Sequence, residues 1–154
     1  MTPAALLRLY LALPRTVRLA AAIVWAAGIL YATLAPLRGA PTGAAWQWLG
    51  NALHLLFFLG LGALCLLVPR PPLAAQGRRT WIACGAFGAL DEFLQGLVGR
   101  TPSWFDLGAD LFGAGLGVAL VLLALGEARR RSAAMACLCA LLGAGCIAGA
   151  TLLD

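Results

Sequence analysis

The architecture of this chain turns on WFDLGADLFGAGLGVALVLLAL, residues 104–125. As an α-helix these 22 residues rise about 33 Å, enough to cross a hydrocarbon core about 30 Å thick. No charged side chain occurs from Leu111 onward. Asp106 and Asp110 sit in the first two turns, four residues apart and therefore on one face. Gly113 and Gly117 continue that row with the spacing that lets a second helix approach closely, a pattern that ordinary helix packing also explains. The stretch predicts a membrane-spanning helix that is polar at one end.

Reading outward, similar runs recur on both sides. Upstream lies a link from Gly99 to Ser103, then a span over about 80–98 that contains Asp91, Glu92 and Gln95. Before it comes a span over about 48–68 with the only histidine, His54, and before that a span over about 19–37. Downstream, Glu127 and Arg129, Arg130 and Arg131 precede a run over about 133–153. Residues 1–18 are too short to cross and read as a cytoplasmic or interfacial lead-in. The span over 19–37 follows basic residues, but it is too long for a signal-peptide core and is expected to stay uncleaved. The expectation is an all-α polytopic membrane bundle of about five spans, with residues 19–154 forming a single membrane domain.

Composition excludes the other classes. Hydrophobic residues make up 62% and charged residues 11%, against about 25% charged in a soluble domain. Mean hydropathy is +0.92. A soluble domain of 154 residues cannot hide that much apolar surface, and a disordered chain does not carry it. The runs are too long and too unbroken for barrel strands. The net charge of +5 comes from arginines in short clusters between apolar runs, so no nucleic-acid partner is expected. The five cysteines all lie inside apolar runs without CxxC spacing, which supports neither a zinc site nor a disulfide framework.

The arginines orient the chain. With the N-terminus cytoplasmic, Arg8, Arg15, Arg18, Arg70, Arg78, Arg79, Arg129, Arg130 and Arg131 fall inside, and only Arg38 and Arg100 fall outside. Nine against two is the positive-inside pattern. Trp46, Trp48 and Trp104 then mark outer boundaries, and Asp154 ends outside. In this orientation His54, Asp91, Glu92, Gln95, Arg100, Ser103, Asp106 and Asp110 all lie in the outer half of the bilayer or at its outer face.

Those polar groups cannot face lipid. An Asp at a helix centre costs about 2.5 to 3.5 kcal/mol, and each large aliphatic residue or Phe returns about 0.3 to 0.6. The span over 80–98 sets two acids against seven such residues, roughly +5 to +7 against roughly −3 kcal/mol. Asp91 and Glu92 must turn inward, carry protons, or pair with Arg100. Read alone, His54 fits a packed histidine bonded to a carbonyl. Four carboxylates, one Gln and one Arg within twenty residues fit a functional site better, because intramembrane ionisable groups are functional by default. Gly145 and Gly149 repeat the glycine spacing without polar company and read as packing.

The string Asp91-Glu92-x-x-Gln95, then Gly99-Arg100-x-x-Ser103-x-x-Asp106, then Asp110, Gly113 and Gly117, resembles the signature of the VanZ-like membrane proteins. His54 within HLLFFLGL matches as well, and the resemblance covers about residues 48–125. Two positions depart from it. Asp110 stands where the family often has Asn, and Asn51 where it often has a charged residue before the histidine. The founding member is associated with low-level teicoplanin resistance. The resemblance implies a multi-pass protein of the bacterial cytoplasmic membrane, linked to the cell envelope, and supplies no reaction.

Three functions fit these residues. The first is a non-enzymatic envelope factor with no cofactor. Its polar pocket would bind membrane lipid or a lipid-linked cell-wall intermediate, with Arg100 meeting a phosphate and the acids holding Arg100 or bonding sugar and amine groups. The second is an enzyme on a lipid phosphate or diphosphate, in which acids four residues apart hold Mg²⁺ and His54 acts as acid or base. The third is a structural or proton-relay subunit, which the apolar inner halves of the spans disfavour.

Overall fold

The computed structural model describes residues 2–35 and 43–153. These residues form six helices and no strand: α1 (Pro3–Ala12), α2 (Arg15–Leu34), α3 (Ala44–Leu67), α4 (Ala74–Leu97), α5 (Trp104–Leu125) and α6 (Arg129–Leu153). Arg38 and Asp154, and the end of the span expected over 19–37, lie outside the described residues.

Among the described residues four helices are long and apolar enough to cross a membrane: α2, the Trp48–Leu67 part of α3, α5, and the Arg129–Thr151 part of α6. The fifth expected span, α4, is long enough at 24 residues but too polar to qualify by composition. Its buried face holds Gly77, Cys84, Gly88, Asp91, Glu92 and Gln95. Ile82, Leu90, Phe93 and Leu97 are exposed. The polarity of α4 is therefore inverted relative to a helix in water, with polar groups in and apolar groups out. The structure also starts α4 at Ala74 rather than near Thr80, because Gln76, Arg78 and Arg79 extend the helix beyond its apolar part.

α5 is the central helix and packs against α3, α4, α6 and α1. Lipid supplies no hydrophobic drive between helices, so close backbone approach has to do the packing. A Cβ on Gly113 would fall on the Leu55 carbonyl of α3, and one on Gly117 on the Leu59 carbonyl. Gly62 of α3 meets Ala114 in the same way. On the other flank, Gly108 and Gly115 of α5 receive Cys146 and Cys139 of α6, and Gly149 of α6 sits under Phe105. Gly145 does not share this role, since nothing lies within 4 Å of a Cβ placed there. Among the described residues all five cysteines are free.

The first part of the lead-in is helical, as α1. Thr2 caps α1 by accepting the Ala5 N–H at 3.3 Å. Leu7, Tyr10 and Leu11 then pack on the buried cluster of Leu66, Leu67, Leu73, Val118, Val121 and Leu122. Residues 15–18 belong to α2 rather than to the lead-in. Arg18 is buried, and its Nη1 donates to the carbonyls of Leu67 and, at 3.1 Å, Pro69. It thus caps the end of α3, where helical carbonyls lack partners and the dipole is negative. Nearby, Glu127 accepts the Ala74 N–H at 2.7 Å, an acid at the positive start of α4.

Candidate functional site

The polar residues meet at the opposite end of the bundle, where α4 hands over to α5. Ser103 is the N-cap of α5, and its Oγ accepts the Asp106 N–H at 3.3 Å. Its own backbone N–H donates to Glu92 Oε2 at 2.7 Å, folding the link back onto α4. One turn along α4, Gln95 Nε2 lies 3.2 Å from Asp91 Oδ2 and 3.2 Å from Glu92 Oε1. A side-chain amide has two N–H groups, so one Gln holds both carboxylates. From α2, Thr33 Oγ1 lies 2.7 Å from Asp91 Oδ1. From α3, His54 Nδ1 lies 3.0 Å from Asp110 Oδ1 on α5. Asp91 and Asp110 are 0% exposed and His54 8%.

Four helices therefore converge on one cluster. One ligand atom each from His54, Asp91 and Asp110 lies within 4.8 Å of the others, and the same holds for His54, Glu92 and Asp106. His54 belongs to both sets. Among the described residues the only ion pair joins His54 and Asp110. Asp110 Oδ2 is buried without a hydrogen-bond partner. An assembly this rich in acid can accept hydrogen bonds from hydroxyls and amines or coordinate a cation; alone it repels a bare anion.

Arg100 departs from the expected pairing with Asp91, Glu92 or Asp106. Its Nη1 donates instead to the Thr33 carbonyl. That carbonyl lies in the last turn of α2, where the helix leaves its oxygens unused and its dipole is negative. The Arg100 side chain thus reaches the cluster through Thr33, whose hydroxyl lies against Asp91, while its main-chain N–H donates to the Gln95 carbonyl at 3.0 Å. Of the eight residues singled out in the sequence, seven gather around the cluster, Ser103 through its main chain, and Arg100 stands at its rim.

Thr33 is the residue that sequence reasoning missed. It carries no charge, and a lone Thr in an apolar helix usually bonds its own backbone; this hydroxyl, with one proton to give, lies 3.0 Å from Ile29 O as well as near Asp91. The available signal was its being the one Thr in the apolar run after Arg18. A cavity of about 270 Å³ opens beside the cluster, lined by Ala89, Glu92, Pro102, Ser103, Trp104 and Leu107.

A helical membrane-type bundle with an acid–histidine cluster buried at one end is the class that fold and geometry define. Within that class the chain belongs to the VanZ/LLP1 family, whose model matches residues 15–125. The match begins upstream of residue 48, where the motif resemblance starts, and so takes in α2 and Thr33. No curated protein and no solved structure matches the chain.

Proposed function

We propose that this protein is a multi-pass cell-envelope factor of the bacterial cytoplasmic membrane that binds the polar head group of a membrane lipid or lipid-linked wall intermediate. The observation that carries the reading is Glu92: it lines the 270 Å³ cavity and at the same time bonds Gln95 and Ser103 inside the cluster. A head group entering between α4 and α5 meets Glu92 first, while Trp104, exposed at the rim, supplies an apolar surface for the chain below it. With an N-terminus in the cytoplasm, which the arginine distribution supports, this mouth faces the outer leaflet, where wall intermediates are consumed. Membership of the VanZ/LLP1 family supports extending this reading to a part in the response to teicoplanin.

The test is photocrosslinking from a probe amino acid at Trp104 in native membranes, followed by mass spectrometry of the attached lipid. A discrete lipid class whose capture Glu92→Gln abolishes is the expected result. Capture of bulk phospholipid in proportion to its abundance, unchanged by Glu92→Gln, overturns the reading. Reporter tags at the two termini check the topology: both ends on one side of the membrane would refute five crossings.

A further inference from the structure

The charge balance of the cluster points beyond hydrogen bonding. Asp91 and Asp110 are fully buried, Glu92 nearly so, and among the described residues the cation-forming side chain paired with a cluster acid is the His54 imidazole. Removing several carboxylates from water without a matching positive charge is costly. Two arrangements relieve it: a proton shared between carboxyl groups, or a coordinated metal ion. Two features favour the metal. The donors come from three different helices, α3, α4 and α5, yet converge within 4.8 Å. And Asp110 Oδ2 is buried with no hydrogen-bond partner, so the cluster's own hydrogen bonds leave an acceptor unused. Gly88 on α4 lets Asp110 pack this close, because a Cβ there would come within 3.1 Å of both its Cβ and its Oδ2.

We infer that His54, Asp91 and Asp110 form a divalent-cation site, with Glu92 and Asp106 at its open side, and that the cation bridges to a phosphate on the bound head group. One imidazole with carboxylates suits Zn²⁺ or Mn²⁺, and the carboxylates without the imidazole suit Mg²⁺. Mg²⁺ in particular is commonly shared between one or two carboxylates and a phosphate. The ion explains how a pocket of four acids accepts an anionic group while Arg100 is engaged elsewhere. The bridging half rests on the head-group reading above; the cation site stands without it.

The full chain, stripped with chelator in lipid nanodiscs, is titrated with Mn²⁺ and followed by electron paramagnetic resonance. One Mn²⁺ per chain is expected, displaced by Mg²⁺ or Zn²⁺ and showing nitrogen coupling from a single imidazole. His54→Gln removes that coupling. Asp91→Asn and Asp110→Asn each weaken binding by about 100-fold or more, since outer-sphere changes alone cost about 10–100-fold. No stoichiometric uptake by the wild-type chain, or uptake equal in both Asn variants, overturns the site and leaves the shared proton as the answer. Should the variants fold poorly, the nitrogen coupling in the wild-type chain decides alone. Photocrosslinking with and without EDTA separates the two halves. Loss of head-group capture with EDTA supports the bridge, and capture indifferent to EDTA overturns it while sparing the lipid reading. Stoichiometric Mn²⁺ without any specific lipid spares the cation site and overturns the lipid reading.

Discussion

The two ends of this bundle both bury charge, and they do so differently. At the α1 end Arg18 caps α3 and Glu127 caps α4, each bonded to backbone that a helix leaves unpaired. Around them the core is purely aliphatic, from Leu66 to Leu122. At the α4–α5 end the buried acids are bonded chiefly to other side chains: Asp91 to Thr33 and Gln95, Asp110 to His54. A charge that caps a helix is explained by the fold. Charges that hold one another across three helices are not, and it is this mutual bonding of side chains that marks a candidate site.

Substitutions can break or sharpen that contrast, and they are ordered here by expected effect on stability. Arg18→Ala strips two carbonyls of their donor and removes a buried stem, and is expected to cost roughly 3 kcal/mol or more. A denaturation series in detergent reads this, and head-group capture by the surviving folded fraction should be intact. Arg100→Ala removes one cap at the end of α2 and should cost about 1–2 kcal/mol. Arg100→Lys, which keeps a point charge for one carbonyl, should stay within about 0.5 kcal/mol of the wild type and retain ligand. A stable Lys variant that has lost its ligand would return Arg100 to a forked phosphate contact. Ser103→Ala deletes the N-cap of α5 and should cost about 1 kcal/mol by the same denaturation series.

The smallest stability change is the sharpest test. Asp91→Asn keeps the shape and removes a buried charge, and the relieved desolvation cost offsets the loss of one acceptor facing Thr33 or Gln95. Unchanged or raised thermal stability together with lost cation or head-group binding is the expected pattern. A loss of about 3–5 kcal/mol would instead make Asp91 a structural strut whose partners depend on its charge, and would erase the contrast between the ends.

Much of this was legible in the sequence, for physical reasons that vary by element. α5 runs over the stretch expected, Trp104–Leu125, because a serine N-cap and Gly126 at φ +78° bound an unbroken apolar run. The site acids stood out because each is expensive in lipid. The start of α4 was misplaced because hydropathy reports where a helix is apolar, not where it ends. Arg18 was read only as one of nine cytoplasmic charges, since no pattern announces that a side chain will fold onto the end of another helix. Gly145 and Gly149 share a spacing, and only Gly149 meets a neighbour: spacing reports a possible face and leaves open which helix covers it.

The position of α2 has a mechanical consequence. Between α2, α3 and α4 runs an apolar groove of about 350 Å³, lined by Leu19, Ala22, Leu61, Cys65, Cys84 and Phe87, so the helix is not glued along its length. Rivets hold it instead: Arg18 to the end of α3, Trp25 to the Phe57 carbonyl at 2.8 Å, Thr33 to Asp91 at 2.7 Å, and Arg100 clamping its far end. Peeling α2 away has to shear all four. The helix therefore transmits load between the two ends of the molecule like a stave in a frame, and a tug on the Arg100 link is felt first at Thr33 and Asp91.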